Sequence, residues 1–173
     1  SPGIAAPMLV IAGSCSPVTA AQINKAKSNG FEEAIIDSTI SDESVIATIS
    51  DWMKEGKSVI LHTDGINKKD TIPAEVTGTR LGTIARKIAN NISYKRLVIA
   101  GGDTSSYAAR ALGIESVEMI ASLVPGAPLC KANAPGSSID GMEVNFKGGQ
   151  VGDENYFEIL LNGTITSALI RDT

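Results

Sequence analysis

The sequence predicts an α/β fold, a mostly parallel sheet with helices on both faces, in a three-layer α/β/α arrangement and a single domain. Two patterns predict it. Short apolar runs alternate with amphipathic stretches at helical spacing, as expected of strands buried on both faces and of the helices that cover them. Three Gly/Ser-rich segments, 13–17, 101–106 and 147–152, follow such runs, at the carboxyl ends of strands where sheets of this kind collect ligands. The length of 173 residues is sufficient for one core without metal or disulfide staples.

The elements follow in order. "MLVIAG" (8–13) reads as the first strand, because it has neither the basic leader nor the length of a signal peptide. In "SPVTAAQINKAKSNG", Thr19 is followed three places later by Gln22, a capping-box pattern for a helix ending at Gly30. "EEAIID" (32–37) is a short second strand. "SDESVIATISDWMKEG" (41–56) is a helix with Val45, Ile46, Ile49, Trp52 and Met53 on its apolar face. "SVILHT" (58–63) is another buried strand, and His62 at its end reads as a satisfied structural histidine. A polar loop leads to "VTGTRLGTIARKIANN", a helix with Leu81, Ile84, Ala85, Ile88 and Ile92 at helical spacing.

"RLVIAG" is the next strand, and Tyr107, Ala108, Ala111 and Leu112 mark the helix after it, with Thr104, Ser105 or Ser106 as its cap. After Ile114, "VEMIASLVPGAPLCKANAPG", "MEVNFKGGQVG" and "NYFEILLNG" read as two strands, a Gly-rich turn and a closing helix. The missing N–H groups of Pro125 and Pro128 argue against a regular central strand through them.

Composition excludes several classes of partner. The formal net charge is −4, with no block of like charge, so nothing invites nucleic acid or an anionic membrane. No apolar run reaches the roughly 18 to 20 residues that span a bilayer. Cys15, Cys130 and a single histidine form neither a disulfide framework nor a zinc-ligand spacing. Free thiols fit a reducing cytoplasm. The opening Ser-Pro-Gly in place of Met suggests a cloning scar or a piece cut from a longer protein.

For chemistry, neither a G-x-x-x-x-G-K-[ST] loop nor a G-x-G-x-x-G after a strand is present. In "VIAGGDTSSYAARALG", Gly101 and Gly102 allow close approach to the main chain, and the helix N-terminus that follows suits a phosphate. The same residues also suit a tight connection with hydroxyl caps. Ser14 and Ser16 read either as a capped turn or as ligand contacts. Asp103 is either a helix charge, favourable by about 0.3–1 kcal/mol, or a Mg²⁺ ligand through water. Lys147 is either an exposed strand-edge lysine or a point charge on a phosphate. Pro125-Gly126-Ala127-Pro128 either walls a flat pocket for an adenine ring or is simply a loop.

Three motifs in order, "GSCSPVTAAQI", "VIAGGDTS" and "VPGAPL…NFKGGQVGDENYF", resemble the C-terminal nucleotide-binding half of the four-carbon acid sugar kinases, over nearly the whole chain. The resemblance implies that residues 1–173 are the ATP-binding domain of a Mg²⁺-dependent kinase for threonate- or erythronate-like acids. The sugar acid would be held by a separate N-terminal domain whose acidic "ADD…TGA"-like motif is not found here. The implied nucleotide site comprises Ser14, Ser16, Gly101, Gly102, Asp103, Thr104, Gly148 and Gly149, with Gly126, Lys147 and Gly152 beside them, and Asp103 toward Mg²⁺. No catalytic residue is implied in this chain, and the isolated domain is expected to be inactive. Cys15 stands where the family often has a basic or polar residue, and no thiol chemistry is expected of it. The alternatives are a non-catalytic nucleotide- or phosphometabolite-sensing domain and, third, an oxidoreductase fragment. How like chains associate stays open.

Overall fold

The alternation of apolar runs and amphipathic stretches becomes β1 (Leu9–Ala12), α1 (Pro17–Ser28), β2 (Glu32–Ile35), α2 (Asp42–Lys54), β3 (Val59–His62), α3 (Ala74–Asn91), β4 (Arg96–Ala100) and α4 (Asp103–Leu112). The chain continues as β5 (Ser116–Val124), β6 (Ala127–Asn133), β7 (Glu143–Lys147) and α5 (Tyr156–Asn162). The computed structural model describes residues 2–13, 16–63 and 72–164. The strands form one seven-stranded sheet in the order β2-β3-β1-β4-β7-β6-β5. The pairs β2–β3, β3–β1, β1–β4 and β4–β7 are parallel, while β6 runs antiparallel to both β7 and β5.

Side chains that alternate along each strand face opposite ways, and this divides the core. Leu9, Ile11, Leu61, Leu97 and Ile99 pack with α2, α3 and α4 through Ile49, Met53, Leu81, Ile84, Ile88 and Leu112. Met8, Val10, Ile60 and Val98 face the other layer, where Ile23 from α1 meets Tyr156, Phe157 and Leu160 from α5. Trp52 is only half-buried against the first cluster. His62 is buried, with Nε2 2.8 Å from Glu33 Oε2, as the structural reading expects.

Two helix caps differ from the expectation. The cap of α1 is Ser16, whose Oγ accepts from Thr19 N at 3.1 Å. Pro17 at the first helical position sets that start, so Thr19 and Gln22 lie inside the helix, both buried, and form no capping box. At α4 the cap position is Gly102, with no side-chain cap bond. Ser105 instead donates to the Gly101 carbonyl, and Ser106 Oγ donates to Asp103 O at 3.0 Å.

The closing region holds three strands rather than two, because Pro125 and Gly126 turn a β5–β6 hairpin. Pro128 lies inside β6, between β5 and β7. It falls where the β5–β6 register shifts between Ala121↔Leu129 and Val124↔Ala127, and at such an irregularity a missing ladder donor is tolerated.

Two features fix the frame at the two ends of the sheet. A Cβ on Gly78 would lie 2.5 Å from Thr104 O, and one on Gly82 would lie 2.4 Å from Ala108 O. Without side chains at these two positions, one helical turn apart, α3 comes against the backbone of α4. At the opposite edge, the fully buried Arg96 donates from Nε to Glu143 Oε2 (2.8 Å) and from Nη1 to the carbonyls of Gly3 (3.1 Å) and Leu160 (2.5 Å). This ties the N-terminal segment and α5 to the sheet.

Candidate functional site

Because β1, β4 and β7 are adjacent and parallel, the turns that follow them leave from one edge of the sheet. Hydrogen bonds link them. Gly13 N donates to Ala100 O (3.4 Å), Gly101 N donates to Lys147 O (3.0 Å), and Thr63 Oγ1 brings the end of β3 to Gly13 O at 2.5 Å. Ser16 donates to the Gly149 carbonyl, joining the first turn to the third. The sequence-derived residues Ser16, Gly101, Gly102, Asp103, Thr104, Gly148 and Gly149 are therefore gathered on one edge. Ser14 lies outside the described residues, as does Cys15.

The second turn is shaped for close approach. Gly101 has φ +125°, a backbone state that a side chain would strain. A Cβ on Gly102 would meet nothing within 4 Å. No side chain caps α4, and the N–H groups of Asp103 and Thr104 donate to no backbone or side-chain acceptor among the described residues. Thr104 is buried, and a Cβ on Gly13 would lie 2.1 Å from its Cγ2, so the Thr104 side chain fills the place where Gly13 has none. Asp103 is exposed on the first turn. Open amides at a helix N-terminus, with its positive dipole end, favour an anion.

The third turn is held from inside. Lys147 is 1% exposed, on an interior strand rather than a solvent-exposed edge. Its Nζ lies 3.0 Å from Thr19 Oγ1 and donates to Gly148 O (2.8 Å) and Gly149 O (3.4 Å). It also sits 5.8 Å from the centre of the Tyr156 ring, a cation–π arrangement. Gln22 Nε2 donates to Val151 O (3.0 Å) and Asp153 O (2.9 Å). Gly152 has φ +85°, and a Cβ there would lie 2.4 Å from Tyr156 Cδ2, so this glycine makes room for the ring. The Tyr156 hydroxyl donates to Asn145 Oδ1 at 2.6 Å, and Asn145 Nδ2 donates to Ala127 O (2.9 Å) and Pro128 O (3.1 Å). Burial pushes the Tyr156 hydroxyl well above its usual range, against the opposing effect of the Asn145 hydrogen bond, which keeps it a neutral donor. Gly126 turns the hairpin beside this network, at the same edge, because β6 starts where β7 ends.

Sequence reasoning assigns Thr19 and Gln22 only to a capping box and does not single out Asn145 or Tyr156. A trace of the role of Thr19 and Gln22 is present in α1, where two polar residues share the buried face with Ile23 and Ala26. Among the described residues no group of three or more His, Cys, Asp or Glu side chains gathers as a metal site. Asp103, exposed on the first turn of α4, fits a cation shared with phosphates and water rather than an all-protein cage. Cys130 is free and buried, and burial raises its thiol. No helix among the described residues is long and apolar enough to cross a membrane.

Comparison with known proteins places the chain in a family. The family model described as "Nucleotide-binding C-terminal domain" matches residues 9–157. The chain is 33% identical over 183 aligned positions to the 3-oxo-isoapionate kinase of Paraburkholderia graminis, covering 91% of this chain and 39% of that protein. It is 25% identical to the 3-oxo-tetronate kinase of Pectobacterium atrosepticum, covering 86% and 38%. The chain thus spans about two fifths of the length of these curated relatives.

Among solved structures, a domain of unknown function from Bordetella bronchiseptica, described as a domain-swapped dimer with bound citrate, has a TM-score of 0.75 at 19% identity and covers 91% of this chain and 40% of its own. A putative tRNA synthase from Salmonella typhimurium LT2 has a TM-score of 0.71 at 19% identity, covering 95% and 42%. At that identity these two matches speak for the fold alone. With its motifs, fold and family match in accord, the chain belongs to the nucleotide-binding C-terminal domain family of the four-carbon acid sugar kinases.

Proposed function

We propose that this domain binds Mg-ATP at the carboxyl edge of its sheet and is the phosphoryl-donor half of a kinase acting on four-carbon sugar acids of the threonate, erythronate or 3-oxo-tetronate type. One observation carries the reading: the uncapped N-terminus of α4, with its open amides, shares an edge with the turns after β1 and β7. Phosphoryl transfer depends chiefly on positioning and on neutralising spread-out charge, and backbone amides fixed on a rigid sheet supply both. In this reading Ser16, Gly101, Gly102, Asp103, Thr104, Gly148 and Gly149 line the phosphates, with Ser14 beside them in the first turn. Gly126 and its flanking prolines wall the base. Gly152 and Lys147 support the third turn. Asp103 holds Mg²⁺ through water, and the bound cation neutralises phosphate charge.

The relatives that match are kinases about two and a half times as long as the matched stretch. The acceptor is accordingly held by the remainder of a longer protein, and the donor domain alone transfers nothing, because donor and acceptor are positioned by different parts. The compartment that fits an ATP-using domain with a free buried thiol is the cytoplasm.

Calorimetric titration of the folded chain with ADP and Mg²⁺ tests the proposal. Binding in the micromolar to millimolar range is expected. Absence of binding at millimolar ligand overturns it.

A further inference from the structure

We infer that Lys147 is a positioning residue for the phosphate chain: from inside the fold it pins the turn after β7 so that the turn's amides face the ligand. The inference rests on the nucleotide-binding reading above and adds a role to a residue that does not itself reach the edge.

The argument starts with peptide geometry. In a trans peptide the carbonyl and the following N–H point in opposite directions. The Gly148 and Gly149 carbonyls both turn inward. Gly148 O accepts from Lys147 Nζ at 2.8 Å. Gly149 O accepts from Lys147 Nζ at 3.4 Å, from Thr19 Oγ1 at 3.2 Å and from Ser16 Oγ. The N–H groups of Gly149 and Gln150 are therefore directed outward, and they donate to no backbone or side-chain acceptor among the described residues. Successive outward amides of this kind form an anion-binding concavity.

The inward half of the turn explains why a lysine is used. Two carbonyls converging on one point repel each other, and although Gly148 O also accepts from Val151 N at 3.2 Å, Lys147 Nζ is the donor that reaches both. An ammonium has three protons to donate, and its charge makes each bond stronger than a neutral one. Thr19 Oγ1, 3.0 Å from Nζ, and the Tyr156 ring also lie against the ammonium. Gln22, bonded to Val151 O and Asp153 O, holds the downstream half of the same turn. Lys147 is 1% exposed, so its influence on a ligand is transmitted through the backbone it organises.

The experiment compares ADP with adenosine, by calorimetry, in the folded chain and in Lys147→Met. A positioning role predicts that ADP affinity falls by about tenfold or more, the scale of losing charge-assisted bonds, while adenosine affinity changes by less than about twofold. The ADP-to-adenosine preference is a readout that a merely structural role does not move. Equal losses for both ligands, or no loss for ADP, overturn the inference. If Lys147→Met does not fold, Thr19→Val decides by the same ratio, since it removes the hydroxyl shared by Lys147 and Gly149 while keeping the side-chain shape. Wild-type binding of ADP reports separately on the nucleotide reading, and its absence would overturn that reading and this one together.

Discussion

Two glycines at the candidate site give opposite expectations, although both follow a strand. Gly102 has φ −78°, and a Cβ there meets nothing within 4 Å. Gly102→Val should reduce ADP affinity at least about tenfold, because the isopropyl group occupies the approach to the open amides, and should cost less stability than a side chain at Gly13. Gly13 has no such space: its Cβ would lie 2.1 Å from Thr104 Cγ2. Gly13→Ala should cost about 1–3 kcal/mol through overpacking, read as a lower urea midpoint. Equal stability of the two variants would contradict the contrast between the two positions. Glu33 supplies a pH test. Burial raises its carboxyl, but hydrogen bonds from Lys27 and His62, with their charges, outweigh that and hold it below the usual value of 4.5. A depressed folded value means that the stabilisation is complete above the unfolded value and is lost as pH falls through the folded one. Glu33→Gln should therefore flatten the loss of stability below about pH 4.5, measured by urea unfolding at a series of acid pH values.

Among the elements, the packing of α3 on α4 has the most direct consequence for the site, because Gly78 lies against the backbone of the turn that opens α4. Gly78→Ala and Gly82→Ala should each push the helices apart, at a cost of about 1–3 kcal/mol, partly offset by alanine's better helix propensity of up to about 1 kcal/mol. Gly78→Ala should also weaken ADP, since its contact is Thr104 O, whereas Gly82→Ala, facing Ala108 O, should affect mainly the denaturation midpoint. The strands that become β1, β3 and β4 were legible from their apolar runs, because a strand buried on both faces leaves few other readings. The β5–β6 hairpin was not. Val117, Met119 and Ile120 are exposed on β5, so its pattern follows neither alternation nor burial, and Pro125 and Pro128 disguise the turn and a strand start. The caps were misread for a related reason. Thr19 and Gln22 satisfy a capping-box spacing, yet Pro17 had already placed the helix start at Ser16, and the two side chains were left to hold a turn about 130 residues away, a contact that local spacing does not encode.

Over the whole molecule, convergence of the three turns was legible because strand polarity alone sends the ends of parallel neighbours to one edge, and the order β1-β4-β7 makes those neighbours adjacent. Not legible was the division of labour within the third turn, where the lysine lies beneath the glycines. That division implies a donor platform assembled before any ligand arrives: Lys147, Thr19 and Gln22 already satisfy the inward carbonyls, and α4 is already seated on α3. A prearranged site spends little of its binding free energy on ordering, so ligand binding should appear almost undiminished as stability of the fold. At a free ADP concentration one hundred times its dissociation constant, the linkage relation gives about 2.7 kcal/mol, or a rise in melting temperature of about 5–11 °C for a domain of this size. A platform without an acceptor should not turn over. ATP and Mg²⁺ should raise the melting temperature comparably, with no ATP consumed on adding a four-carbon sugar acid. Consumption of ATP dependent on the sugar acid would place the acceptor site in this chain, and a melting temperature indifferent to nucleotide would show that the edge is not the platform its geometry implies.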